Sequence, residues 1–129
     1  MTSTDTAERT DAATSNSPDW HRVTELMHLS RTLDAMEEER LVPEKKVLYQ
    51  FSARGHDMAQ ILLGLQLTEK HDAICGYYRS RPILLSLGVD VADALGSAMG
   101  RCGGYSDGRD IGVVFNTHCK SSSWGRSRS

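Results

Sequence analysis

The sequence predicts a mainly helical fold, and three observations carry that expectation. Trp20, Val23 and Met27, together with Leu26, Leu29, Leu33 and Met36, recur at three- and four-residue steps, the spacing that places apolar side chains on one helix face. Met58, Ile61, Leu62 and Leu65 repeat the pattern over a shorter stretch. The remaining apolar runs, at residues 47–51, 73–75 and 111–115, are brief and bounded by polar or glycine-rich segments. At 129 residues the chain suits one small domain or the front part of a larger one.

The first helix is expected from Asp19 to about Leu41, because Pro43 disfavours helical backbone at Val42. Glu37, Glu38, Glu39 and Arg40 read as its solvated end. Residues 47–51 follow as a strand or an extended segment, closed by Ser52-Ala53-Arg54-Gly55. The second helix covers residues 56–67. Its small residues Ala59 and Gly64 allow close helix contact, although glycine at 64 costs about 1 kcal/mol relative to alanine. A polar connector at 69–72 leads to residues 73–75, expected as a short buried extension. Residues 82–87 form a further helix stopped at Gly88, and residues 90–99 another, with Asp90 as its cap and Asp93 in its first turn. Beyond Gly100 the chain changes character: residues 102–110 are a glycine-rich loop and 111–115 read as a short strand.

Charge is small overall and uneven along the chain. The formal net charge of -2 argues against a general polyanion binder. Residues 1–18 hold Asp5, Glu8 and Asp11 against Arg9 and no large apolar side chain after Met1, so they are expected to be a disordered acidic tail. Residues 118–129 read as a second disordered tail, rich in Ser and Arg, leaving 19–117 as the folded domain. The charge of Arg126 and Arg128 is too slight for strong phosphate-backbone binding, so no nucleic-acid partner is expected. The chain shows no basic segment leading into an apolar core and no apolar run of membrane-spanning length. A cytoplasmic protein with no membrane partner is the expectation. Cys75, Cys102 and Cys119 are odd in number and widely spaced, which points to reduced structural thiols rather than a disulfide framework or zinc cage. His118-Cys119 lacks a second ligand pair, so no metal site is expected there.

Gly76-Tyr77-Tyr78-Arg79-Ser80-Arg81-Pro82 concentrates two phenols and two guanidiniums at the mouth of a helix. Arginine gives charge-assisted hydrogen bonds to phosphate or carboxylate oxygens, and a neighbouring phenol adds a donor without adding charge. Ser80 reads as the N-cap and Pro82 as a first-turn residue, so free backbone N–H groups would face the same anion. The same residues also describe a solvated turn with its aromatics packed as core.

Arg54-Gly55-His56-Asp57-Met58-Ala59-Gln60, the tyrosine-arginine segment, Leu87-Gly88-Val89 and Gly108-Arg109-Asp110 occur in a characteristic order. Over about residues 29–115 this set resembles the N-terminal part of the alpha chain of the thiamine diphosphate-dependent 2-oxo acid dehydrogenases, the decarboxylating components of the pyruvate and branched-chain complexes. The resemblance implies a helical piece of an α/β thiamine diphosphate-binding fold, with the start of its parallel-sheet domain missing. It implies that Tyr78 and Arg79 hold the cofactor diphosphate, with Tyr77 lining the cleft, and it assigns no catalytic residue. It further implies an oxidoreductase subunit acting on a 2-oxo acid, with a beta chain or a homo-oligomer as partner and a lipoyl carrier as acyl acceptor.

Two departures qualify the resemblance. After Arg109 the family proceeds to a methionine-proline and a histidine, whereas this chain reads Asp110-Ile111-Gly112-Val113-Val114-Phe115-Asn116-Thr117-His118, so the loop role is not carried to His118. His56 is expected to cap or pack at its turn. The family's Gly-Asp-Gly segment and asparagines, which hold Mg2+ against the diphosphate, are absent, since Asp107-Gly108 comes too early. The sequence therefore reads as a truncated or frame-shifted subunit, or as a short paralogue. A different class of function stays open beside it: a non-catalytic helical interaction module whose 20–36 stripe packs on a partner and whose tyrosine-arginine turn meets an acidic surface.

Overall fold

A computed structural model of the chain describes residues 17–102 and 107–109, and the backbone of 116–118. Residues 1–16 of the tail expected at 1–18, the strand expected at 111–115, Cys119 and the Ser/Arg-rich residues after it lie outside the described residues. Helix α1 spans Trp20–Met36 and begins where Asp19 accepts a hydrogen bond from the Arg22 amide at 3.1 Å. Its buried side chains are Val23, Leu26, Ser30, Leu33 and Asp34, at helical spacing. That face turns from apolar to acidic along its length, and Glu37 continues it four residues after Leu33. Trp20, expected on the apolar face, is instead 54% exposed.

The helix then widens rather than ending. Glu37–Leu41 is π-helical, with the Val42 amide donating to the Glu37 carbonyl at 2.9 Å, and the chain leaves it through a turn in which Lys45 has φ 55°. The expected stop at Leu41 holds, and Glu38, Glu39 and Arg40 are exposed as expected of a solvated end, but Glu37 is not: it is 1% exposed. Residues 47–53 belong to no helix or sheet, with Val47 and Ala53 buried and Leu48, Tyr49 and Phe51 exposed.

Helix α2, Asp57–Gly64, is shorter at both ends than the expected 56–67. Met58, expected in its inner face, is exposed, and so is Ala59, one of the two expected contact residues. The other performs as expected. A Cβ built on Gly64 would sit 1.8 Å from Ser86 Oγ, so only glycine lets α2 approach α3, Arg81–Ser86, this closely. Ile61 of α2 and Leu85 of α3 meet Val23, Leu26 and Leu33 of α1 in one apolar cluster, with Val91 and Leu95 packed against it. Full burial of one such side chain contributes about 1.5–3 kcal/mol, so this three-helix contact is the main source of cohesion.

Helix α4, Val91–Ala98, starts at Asp90, whose carboxylate accepts from the Ala92 amide at 2.8 Å. Gly88, with φ 83°, makes the left-handed turn between α3 and α4. Strand β1, Ala73–Cys75, pairs antiparallel with β2, Asn116–His118, aligning Ile74 with Thr117. Only Ile74 of β1 is turned inward, against Ile83, Leu84 and Val89, so the expected buried extension is an exposed ribbon. The described part of the chain is thus mainly helical with one two-stranded ribbon. No helix among the described residues is long and apolar enough to cross a membrane.

Candidate functional site

The tyrosine-arginine segment closes on itself before it meets anything else. The Ser80 amide donates to the Tyr77 carbonyl at 2.8 Å, and Ser80 Oγ accepts from the Tyr77 amide at 3.0 Å. A four-residue turn results, with Tyr78 and Arg79 at its tip. Ser80 does precede α3, yet its hydroxyl is spent on this turn and makes no cap bond to the helix. Pro82 falls in the first turn as expected. The six residues of α3 are too short for the dipole-based anion site the sequence led us to expect.

The two arginines separate completely. Arg81 enters the core at 8% exposure, where Nη1 reaches Asp34 Oδ1 at 3.1 Å and Nη2 reaches Glu37 Oε1 at 2.5 Å. Burial pushes the Glu37 carboxyl above its usual range, and the charge and hydrogen bond of Arg81 only partly oppose that. The two guanidiniums expected together at the helix mouth are therefore not both available to an anion, because that of Arg81 is consumed by two buried carboxylates.

Arg79 stays at the surface, on a bed of aromatic rings. Its Cζ lies 5.4 Å from the Tyr78 ring centroid and 5.8 Å from that of Phe51, while Nη1 donates to the Ser52 carbonyl at 2.9 Å. Its own carbonyl accepts from Gln60 Nε2 at 3.0 Å, tying the turn to α2. Gln60 Oε1 is buried and has no partner among the described residues. The rings form a row, with Tyr49–Phe51 centroids at 6.4 Å, Phe51–Tyr78 at 4.4 Å and Tyr78–Tyr77 at 3.8 Å. The hydrogen bond between the two phenols raises Tyr77 and lowers Tyr78 from the ordinary tyrosine value, and Arg79 lowers Tyr78 further.

The structure brings together Tyr77, Tyr78 and Arg79 and leaves the other candidates apart. His56 occupies the N-cap of α2, exposed and without a side-chain cap bond. Arg109 is exposed in a turn after Gly108, and of His118 only the backbone, in β2, is described. Cys75 and Cys102 are free thiols, but both are exposed rather than structural. Among the described residues no three His, Cys, Asp or Glu side chains cluster to hold a metal ion. Sequence reasoning missed Phe51, Ser52, Asp34 and Glu37. For Asp34 and Glu37 the signal was present, since they continue the i, i+4 face through Ser30 and Leu33.

No family model, no curated protein and no solved structure matches the chain.

Proposed function

We propose that the chain is a partial alpha subunit of a thiamine diphosphate-dependent 2-oxo acid dehydrogenase, in which Arg79 and Tyr78, flanked by Tyr77, take the diphosphate of the cofactor. The observation that carries the reading is the state of Arg79. Its guanidinium is exposed, steadied by one backbone carbonyl and two ring faces, and paired with no carboxylate among the described residues. A cation held in that way keeps N–H donors for an anion, and the Tyr78 hydroxyl beside it supplies another. These residues fit the phosphate end of the cofactor. They include no carboxylate, so a metal accompanying the diphosphate would need ligands from other residues.

When bound, thiamine diphosphate supplies the electron sink for decarboxylating a 2-oxo acid and delivering the acyl group to a lipoyl carrier. The chain's own part is to bind and orient. A beta chain or a second copy, a cytoplasmic setting and the α/β thiamine diphosphate-binding architecture belong to the same proposal. Calorimetric titration of thiamine diphosphate with Mg2+ into this chain and a downstream-extended one tests it. Binding that disappears in Arg79→Ala is expected; no binding by the extended chain overturns it.

A helical interaction module is the second reading, and one observation favours it. Apart from Trp20, the 20–36 stripe packs into the core with α2 and α3, but Leu48, Tyr49, Phe51 and Tyr77 are 42–67% exposed, with Phe51 next to Arg79. A partner with an apolar, acidic surface would bind there without any cofactor. Arg79→Ala separates the two: assembly that survives while cofactor binding is lost favours the enzyme subunit.

A further inference from the structure

We infer that Asp34 is a positioning residue for the Arg79 guanidinium, acting from the core through Ser52 and Ala53. This deepens the proposed function, on which it rests for the importance of Arg79 as the ligand-facing cation. The two oxygens of Asp34 have different duties. Oδ1 accepts from Arg81 Nη1 at 3.1 Å, while Oδ2 accepts from Ser52 Oγ at 2.7 Å and from the Ala53 amide at 3.1 Å. The segment so anchored has no sheet partner of its own. Its Ser52 carbonyl is the group that accepts from Arg79 Nη1.

Arg79 and Arg81 are therefore linked through space by a route far longer than the single residue between them. Arg81 holds Asp34, Asp34 holds 52–53, and Ser52 holds Arg79. The carboxylate at 34 is 1% exposed, so solvent does not compete for its bonds and the segment at 52–53 is held in one register. Phe51, the residue before Ser52, is one of the two rings beneath Arg79, so the same anchor sets the cation's hydrogen bond and its aromatic bed. An amide at position 34 has one oxygen and cannot accept from Arg81 and from the 52–53 segment at once, so one set of bonds must lapse.

The test reads Arg79 with no ligand present. In 15N spectra of the full chain, the guanidinium signals of Arg79 are assigned by their loss in Arg79→Lys. Bound to the Ser52 carbonyl, the Nη groups of the parent are expected to rotate slowly and give separate signals. Ser52→Ala and Asp34→Asn are expected to merge those signals, whereas Glu37→Gln, which cuts the other arm of Arg81, leaves them as in the parent. Unchanged Arg79 signals in a folded Ser52→Ala chain overturn the inference, and that variant decides alone if Asp34→Asn does not fold. Failure of the proposed function shows separately, as absent thiamine diphosphate binding by the extended chain whatever the spectra give.

Discussion

Arg81 Nη2 lies 2.5 Å from Glu37 Oε1, joining the first turn of α3 to the π-helical segment at a point where both side chains are buried. With Asp34 on Nη1, the guanidinium faces two carboxylates at once. Arg81→Met keeps much of the side-chain volume and leaves both acids without a cation. Breaking a buried pair from one side costs about 3–5 kcal/mol, a large share of what a small domain has. Urea unfolding is expected to show that loss; a variant within about 0.5 kcal/mol of the parent would mean the acids find another partner.

Glu37 and Asp57 give stability opposite dependences on pH. Burial raises the Glu37 carboxyl above its ordinary 4.5, so the folded chain holds that proton more tightly than the unfolded one. Its contribution is complete below the unfolded value and lost as pH rises through the folded value. For Asp57, burial would raise the carboxyl, but the Arg31 hydrogen bond at 2.7 Å, the Met58 amide and the charge of Arg31 outweigh it and lower the value below 3.8. That contribution is present above the unfolded value and lost as pH falls through the folded one. Glu37→Gln is therefore expected to remove the decline on the neutral side and Asp57→Asn the decline on the acid side, in urea midpoints across the pH range.

The helices were legible where a cap marked them. Asp90 caps α4 as expected, Asp19 caps α1 at the position where that helix is expected to begin, and Gly88 takes the left-handed conformation that a stop after α3 requires. Glu37 reads as solvent among three consecutive glutamates; its place four residues after Leu33 puts it on the buried face, but the partner that makes burial tolerable, Arg81, stands 44 residues away. The pairing of Ile74 with Thr117 is likewise a long-range matter that no local pattern encodes. Of the site, Tyr78 beside Arg79 follows from adjacency alone. The Phe51 ring and the Ser52 carbonyl do not, since a loop carries no periodicity to announce which atoms it will present.

Gly64 tests the close approach of α2 and α3. An alanine methyl would lie 1.8 Å from Ser86 Oγ and 3.0 Å from both Ser86 Cβ and Ile83 Cγ1. Ser86 Oγ is engaged with the Ile83 carbonyl at 2.6 Å, so it moves only by giving up that bond. Overpacking costs about 1–3 kcal/mol, against a gain of about 1 kcal/mol in helix propensity. Net destabilisation is expected for Gly64→Ala, and Ser86→Ala in the same chain is expected to restore part of it. A stabilised Gly64→Ala chain would show that the helices separate freely.

Arg79→Lys separates charge from planarity at the candidate site. Lysine keeps the cation but loses the flat group over Phe51 and Tyr78 and the fork that reaches Ser52 while facing outward. Because Arg79 is exposed, thermal stability is expected to stay within about 0.5 kcal/mol of the parent. Binding of inorganic pyrophosphate, followed by calorimetry, is expected to weaken. Equal affinity in the two chains would reduce the role of Arg79 to that of a point charge.

Two serines should answer the same substitution with opposite signs. Ser30 Oγ, in the buried face of α1, has no hydrogen-bond partner among the described residues, so its hydroxyl is desolvated without return. Ser30→Ala removes that polar group and favours the helix, and a gain of about 1 kcal/mol is expected. Ser52 Oγ donates to the buried Asp34 carboxylate at 2.7 Å, so Ser52→Ala is expected to lose about 1–3 kcal/mol. Urea midpoints of the two variants decide. If both fall, Ser30 has a partner that stabilises it; if both rise, the bond from Ser52 to Asp34 contributes nothing to the folded state.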